Sequence, residues 1–176
     1  MNLYNMNSDN TIINIDGKDI EMRHPICFGK VYDKWLVSKC GKLWSLTRKK
    51  LLTGHKSYSY NKNSKVIKCI DYQMTVEEDW WGDGSAARHH QRHHHQRHIP
   101  GHKMIMDTYA PLYDNPPVGI IWEEWEIVRD LSSVYNHIYK TVCIDHIDDD
   151  PTNNHLDNLR RVTSWDNNFH RKAKGI

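Results

Sequence analysis

Four residues near the C-terminal end of the sequence have types that suit hydrolysis of a phosphodiester. Asp145 and His146 are adjacent, Asn158 follows His146 by twelve residues, and Asn167 lies nine residues further on. Carboxylate and amide oxygens are hard ligands suited to Mg²⁺ or Mn²⁺, and an imidazole can accept a proton from water near neutral pH. Phosphodiester hydrolysis needs such a base and such a cation. We therefore expect a nuclease centre within Val142–Lys172.

The residues around these candidates predict a β-hairpin. Thr141–Ile147 is rich in β-branched and apolar residues, which suits a strand. Residues 148–154 (DDDPTNN) form turns, because proline fixes φ and Asx side chains bond their own backbone. Leu159–Val162 supplies a short return strand. Neighbouring residues of a regular strand point to opposite faces, so Asp145 and His146 share one site only if the strand ends or bulges there.

A helix is predicted to follow the hairpin. Thr163 is a good N-cap, and Asp166, three residues later, can bond back to its amide in the manner of a capping box. Asn167 then falls near the end of the first helical turn, where it can face the hairpin.

Three strings in this segment carry a family resemblance: IDHIDDDPTNN, then DNLRRVT, then SWDNN. Together they resemble the ββα-metal core of the HNH endonucleases, and most closely the phage and intron-encoded HNH homing endonucleases. That core pairs a DH or HH dipeptide with a central Asn, a VT step and a ligand on the helix. The resemblance covers about thirty residues, and several spacings agree together.

The resemblance implies a role for each matched residue. His146 is the general base that activates water, while Asp145 and Asn167 are the ligands of one divalent ion, Mg²⁺ or Mn²⁺. Asn158 is the central Asn that buttresses the hairpin and orients His146. Asn154 corresponds to a turn position that is usually structural.

Two further positions qualify the resemblance. Some HNH enzymes carry another His one turn after the helix ligand, where this chain has Arg171, so a two-ligand site is favoured over a His-rich zinc site. His102–Tyr113 (HKMIMDTYAPLY) is similar to the short helix that precedes the hairpin in HNH homing enzymes. The leading histidine of that helix usually packs against the core, so His102 is a secondary candidate and not the base.

Composition limits the fold and the location of the protein. The chain has 176 residues, of which 38% are hydrophobic, which favours small cores joined by polar, solvated segments. The four cysteines are scattered without a CxxC pair, so a cysteine zinc knuckle is not expected. No signal peptide and no apolar run of membrane-spanning length is present. We expect an intracellular protein, in the bacterial cytoplasm if phage-encoded, with no membrane partner.

The N-terminal half combines β-prone strings with positive charge. Tyr32–Leu52 predicts a hairpin, and its WLVSKCGKLWSL string is similar to a small β module found beside HNH cores. Lys34–Ile70 contains ten Lys and Arg residues, interleaved with aromatic residues, and no Asp or Glu. A lysine-rich solvated face is the usual explanation of a charge run. Ten cations without a carboxylate favour contact with double-stranded DNA instead.

Arg88–His102 (RHHQRHHHQRHIPGH) is the most unusual segment of the chain. It could bind a transition metal, form a DNA-facing strand or loop, or act as a solvated connector, and we favour the DNA-facing role. Arg48 and Lys49 could lie on a β-ribbon in the major groove. The full set of expected DNA contacts is Lys42, Arg48, Lys49, Lys50, Arg88, Arg92, Arg97, Arg160, Arg161 and Arg171.

These observations predict an α+β protein in three parts. Residues 1–87 form a β-rich basic DNA-binding region that ends in an acidic linker over 71–84. Residues 88–101 form a His/Arg-rich connector, and residues 102–176 form the ββα-metal (HNH) nuclease core. Within that core, residues 119–140 are predicted to be an inserted amphipathic helix whose acidic face points away from DNA.

The function expected first is that of a site-specific HNH homing endonuclease, which hydrolyses DNA in one or both strands. A non-specific or restriction-type HNH nuclease and a catalytically silent DNA-binding module are the alternatives. We expect no obligate protein partner.

Overall fold

The computed structural model describes residues 10–27, 29–61, 64–76 and 95–173, and the expected DNA contacts Arg88 and Arg92 lie outside these ranges. The fold is mixed α and β, with the strands concentrated in the N-terminal region. In chain order the strands are β1 (Thr11–Ile15), β2 (Lys18–Arg23), β3 (Ile26–Cys27), β4 (Lys30–Val31), β5 (Trp35–Ser38), β6 (Leu43–Ser45), β7 (Lys50–Leu52), β8 (His55–Asn61), β9 (Ser64–Val76), β10 (His95–Pro100), β11 (Cys143–His146) and β12 (Leu159–Val162). The α-helices are α1 (Gly101–Tyr109), α2 (Trp122–Val128), α3 (Ser132–Thr141) and α4 (Ser164–Ala173). None of the helices in the described ranges is long and apolar enough to cross a membrane.

An antiparallel sheet with the strand order β1-β2-β5-β6-β7 contains the predicted hairpin of Tyr32–Leu52. The turn between β1 and β2 consists of Asp16 and Gly17, whose φ angles are 52° and 79°. Two positive φ values match the right-handed twist of a two-residue hairpin. The structure confirms β5 and β6 and adds β7 to them.

A second sheet, with the order β10-β9-β8, corrects one sequence-based expectation. Residues 71–76 belong to β9 and not to a linker. Residues 95–100 of the His/Arg-rich segment form β10, and a strand was part of the interpretation favoured for that segment. These two segments pair along their length, from His95 opposite Val76 to Pro100 opposite Asp71. The pairing joins residues on either side of the predicted boundary at 87/88.

Three groups of apolar side chains form the core. One lies within the first sheet, around Met22 and Leu36, and another lies around Leu112, Trp125 and Tyr135 in the helical region. The largest includes side chains from the N-terminal sheet, β9, β10, α1 and β12. Small cores were therefore predicted correctly, but the largest of them connects the β-rich region to the hairpin segment.

The predicted helix at 119–140 is two helices. α2 ends at Val128, and α3 begins at Ser132 after a break at residues 129–131. The buried faces carry Trp125 and Tyr135, whereas the acidic residues of α2 are exposed, as expected. The break corrects the prediction of one continuous helix.

A buried ion pair joins β12 to α1. Arg161 donates to Asp107 Oδ1 at 3.1 Å, with side chains 3% and 7% exposed, and it also donates to the Ala110 carbonyl. Lys103 and the Tyr139 hydroxyl both contact Asp107 Oδ2 at 3.1 Å. Burial lowers the pKa of Arg161, and the charge of Asp107 opposes this shift.

We predict that Asp107→Asn destabilises the protein by about 3–5 kcal/mol, because it leaves the buried Arg161 charge without its carboxylate. Urea unfolding measures the loss. Asp157→Asn, at a carboxylate whose side chain is 87% exposed, is the matched control and should change stability by less than about 0.5 kcal/mol. A loss of less than about 1 kcal/mol for Asp107→Asn would show that the pair contributes little.

Candidate active site

The candidate residues are arranged by an antiparallel hairpin of β11 and β12. Asp145 pairs with Arg160 and His146 pairs with Leu159. β11 ends at His146, but Asp145 and His146 both pair in regular register, so their side chains leave the strand on opposite faces. The chain then turns, with Ile147 N donating to Asn158 O at 2.9 Å.

Asn158 stabilises the turn that follows His146. Its Oδ1 accepts from Asp148 N at 3.0 Å, and its Nδ2 donates to Asp148 Oδ1 at 2.8 Å and to Asn153 O at 2.9 Å. Hydrogen bonds, first that from the Asn153 side chain, hold the pKa of Asp148 below its usual value. Asn158 thus has the geometry of a buttress for the turn.

The side chain that contacts the His146 ring is Asn154. His146 Nε2 lies 3.0 Å from Asn154 Oδ1, and both residues are buried, at 9% and 6% exposure. Since the amide oxygen accepts, Nε2 carries the proton and Nδ1 is left as the basic nitrogen. The resemblance had given this orienting role to Asn158, whereas Asn154 occupies the contact position.

Neighbours from the β-rich region hold Asn154 in place. A Cβ added at Gly101 would lie 2.8 Å from Asn154 Nδ2, and one added at Gly41 would lie 3.2 Å from Asn154 Cβ. Gly41 O also accepts from the Tyr72 hydroxyl at 2.7 Å. The backbone nearby is tied by Leu156 N, which donates to Lys39 O at 2.8 Å. Side chains larger than hydrogen at these two glycines would press on the residue that orients His146.

His102 packs edge-on against His146, with ring centroids 5.4 Å apart and an interplanar angle of 82°. Its Nδ1 is buried and makes no hydrogen bond within the described part of the chain. Burial, and then the neighbouring His146, lower the pKa of His102 to about 4. His102 is therefore neutral at physiological pH and packs against the candidate base, as expected for a core residue.

Asp145 is held by the residue opposite it. Arg160 Nε and Nη2 both donate to Asp145 Oδ2, at 2.9 and 2.7 Å. The Asp145 side chain is 16% exposed and that of Arg160 is 31% exposed. This grip uses a single oxygen, so the other carboxylate oxygen, Oδ1, makes no contact with the guanidinium.

Asn167 lies one turn into α4, as predicted. Its N–H donates to Thr163 O at 3.0 Å, and its side chain is half-buried. Thr163 Oγ1 accepts from Asp166 N at 3.1 Å and donates to Asp166 Oδ2 at 2.6 Å. The cap is confirmed, with one correction: the Asp166 carboxylate accepts from the Thr163 hydroxyl and not from its amide. α4 packs against β11, the strand that carries Asp145.

The expected DNA contacts have different environments. Lys42, Arg48, Lys49 and Lys50 are exposed, and Arg48 and Lys49 lie in the turn before β7 and not on a ribbon. Arg97 is half-buried on β10. For Arg171 the structure gives the backbone, within α4.

Arg161 does not fit the predicted role. Its guanidinium is turned inward to Asp107, so it does not present its charge to a phosphate. Arg160 retains an exposed fraction but is engaged with Asp145. Consecutive residues on a strand face opposite sides, so Arg160 and Arg161 were bound to differ. The sequence alone did not indicate which of the two faces inward.

The donor set suits a hard divalent cation. Asp145 offers Oδ1 and Asn167 offers an amide carbonyl, which are oxygen ligands of the kind that Mg²⁺ and Mn²⁺ prefer. Within the described ranges, no three His, Cys, Asp or Glu side chains are grouped as a metal site.

A mixed α/β chain that presents these residues on a hairpin followed by a helix has the arrangement expected of a ββα nuclease core. Residues 135–169 match the family model described as HNH endonuclease. The match confirms the HNH resemblance for this segment and supports an HNH-type nuclease. No curated protein and no solved structure matched the chain.

We predict that His102 makes stability fall as the pH is lowered from about 6.5 to about 4. In that window unfolded His102 binds a proton and folded His102 does not, so acid favours unfolding. The loss should reach about 3 kcal/mol. Urea unfolding across this pH range should show a correspondingly smaller loss for His102→Phe. His98→Phe, at an exposed histidine, is the control, and equal losses in both variants would contradict the prediction.

Proposed function

We propose that this protein is a site-specific HNH endonuclease of the homing type, which hydrolyses phosphodiester bonds of double-stranded DNA. The observation that carries the proposal is the buried hydrogen bond from His146 to Asn154 at the end of β11, inside the segment that matches the HNH endonuclease family. The bond fixes the ring while leaving one nitrogen basic. A base that is held at the end of a strand suits the activation of a water molecule.

His146 accepts the proton of the attacking water at Nδ1. The proton on Nε2 stays in its bond to Asn154, which holds the tautomer through the reaction and stabilises the imidazolium that forms. His102 remains neutral beside it, so no second cation opposes protonation of His146. Asn158 keeps the turn after His146 closed.

Asp145 and Asn167 would hold one divalent ion, Mg²⁺ or Mn²⁺, in this proposal. Such an ion supplies stabilisation of the charge on the scissile phosphate and on the leaving oxygen. Both hydrogen bonds from Arg160 are made to Asp145 Oδ2, which leaves Oδ1 as the proposed ligand atom. The products are 5′-phosphate and 3′-hydroxyl ends.

Exposed cations bring the duplex to this site. Lys42 lies beside Asn154 and Thr152, at a shallow depression of about 210 Å³ between the first sheet and the hairpin turn. Arg48, Lys49 and Lys50 are exposed at the far end of the same sheet. Neutralisation of phosphates by these side chains releases counterions and makes binding depend on salt.

We predict that His146→Ala abolishes cleavage, by about 10²–10⁴-fold or more, and leaves DNA binding within a few-fold of the wild type. Both strands of DNA from the gene's own neighbourhood should be examined on sequencing gels after incubation with Mg²⁺ or Mn²⁺. Discrete ends indicate a site-specific enzyme, and random degradation indicates a non-specific one. His137→Ala, at an exposed histidine of α3, is the control.

Two results would contradict the proposal. Wild-type protein that binds this DNA but cuts neither strand with either metal would be a silent binding module. Cleavage by His146→Ala at the wild-type rate would show that His146 is not the general base.

A further inference from the structure

The β8–β9 hairpin extends beyond the sheet to which it belongs. β10 pairs with β9 from residue 71 to residue 76, whereas β8 pairs with β9 from residue 64 to residue 71. The outer half of the hairpin is therefore a two-stranded ribbon. We call residues 56–60 and 65–68 the arm.

The side chains of the arm are unusually exposed for aromatic and apolar groups. Tyr60 is 76% exposed, Val66 is 42% exposed and Tyr58 is 39% exposed. An isolated two-stranded ribbon is marginally stable in water, and exposed tyrosines are typical of surfaces that contact a partner. The arm thus resembles a binding surface more than a packed element.

The charge of the arm has one sign. Lys56, Lys65 and Lys68 are exposed, and the arm contains no Asp or Glu. Lys65 Nζ lies 3.8 Å from the centre of the Tyr58 ring, a cation–π contact that holds the ammonium group over the ribbon. A positive surface of this kind complements a polyanion.

The register places the contact groups together. Tyr60 lies opposite Lys65 and Tyr58 lies opposite Ile67, so these four residues share one face. The pairing shifts between Ser57 and Tyr58, which leaves Lys68 as the extra residue of a bulge. A bulge twists a ribbon and re-aims its side chains.

We propose that the arm inserts into the major groove of the duplex that the protein cuts, with its lysines on phosphates and the Tyr58–Tyr60 face toward the base edges. The major groove, about 12 Å wide, admits a two-stranded ribbon. The proposal rests on the proposed function and names the element that grips DNA away from the cut. It moves the ribbon from Arg48 and Lys49, where we had expected it, to the arm.

Binding of a fluorescein-labelled mixed-sequence duplex, measured by anisotropy against KCl concentration without divalent metal, tests the phosphate contacts. Lys65→Gln/Lys68→Gln should reduce the magnitude of the slope of log K against log[KCl] by about 2, about one per lost contact. Lys18→Gln/Lys140→Gln, a pair of exposed lysines outside the arm, is the matched control and should keep the wild-type slope. Circular dichroism verifies that both variants are folded.

Methylation of guanine N7 by dimethyl sulfate tests the groove, since N7 faces the major groove. On a cleavable duplex bound by His146→Ala, guanines at a distance from the cut should be protected where the arm enters the groove. Adding Tyr60→Ala and Lys65→Gln should remove part of that protection. Unchanged protection would overturn the groove assignment, and a wild-type slope in the arm variant would overturn the arm as a DNA contact. If the wild-type protein cuts DNA, the proposed function stands even when one of these two results overturns the arm proposal. Wild-type protein that neither binds nor cuts DNA would refute the proposed function itself.

Discussion

The antiparallel pairing of β11 with β12 is the constraint on which the candidate site depends. It puts Asp145 opposite Arg160 and ends the strand at His146. Alternation along the strand then sends the carboxylate to one side and the imidazole to the other. Each side chain meets a different partner, so the carboxylate is gripped by a guanidinium and the ring by an amide. One hairpin thereby gives the proposed metal ligand and the proposed base separate supports while they remain adjacent in the chain.

The β-rich region supports the site as well as carrying positive charge. Asn154 is packed between Gly41, in the turn between β5 and β6, and Gly101 at the start of α1. Tyr72 of β9 fixes Gly41 through its hydroxyl, and the largest core continues from these strands to Leu159. The β-rich region and the hairpin segment, which the sequence analysis assigned to different parts, therefore contact each other at Asn154, the residue that orients His146. Changes far from the hairpin in sequence can alter the position of its ring.

The sequence predicted what is encoded locally. The turn after His146 is built from Asx side chains that bond within ten residues, and the cap at Thr163 spans three residues, so residue types alone indicate them. Contacts between distant segments were not visible in the sequence. Arg161 pairs with Asp107, 54 positions away. β9 pairs with β10, although an acidic stretch and a His/Arg-rich stretch separate the two strands in the sequence. The break between α2 and α3 was also missed, because apolar periodicity continues through it.

Charge alone was a poor guide to which basic residues face a ligand. Arg161 pairs with a buried carboxylate and Arg160 holds a half-buried one. Within the described residues, no ion pair joins an arm lysine to an acidic side chain, and Lys65 lies over the Tyr58 ring. Basic residues of this chain thus serve packing, positioning and, in our proposal, DNA recognition. Burial and register decide among these roles, and both are properties of the folded chain.

We propose that Asp145 and Asn167 share one divalent ion, and Mn²⁺ binding monitored by electron paramagnetic resonance tests this sharing most directly. We expect one Mn²⁺ site in the wild-type protein, with affinity reduced by about tenfold or more in Asp145→Ala and in Asn167→Ala. Asp157→Ala, at an exposed carboxylate of the same hairpin, should bind as the wild type does. Wild-type Mn²⁺ affinity in both Asp145→Ala and Asn167→Ala would contradict the account.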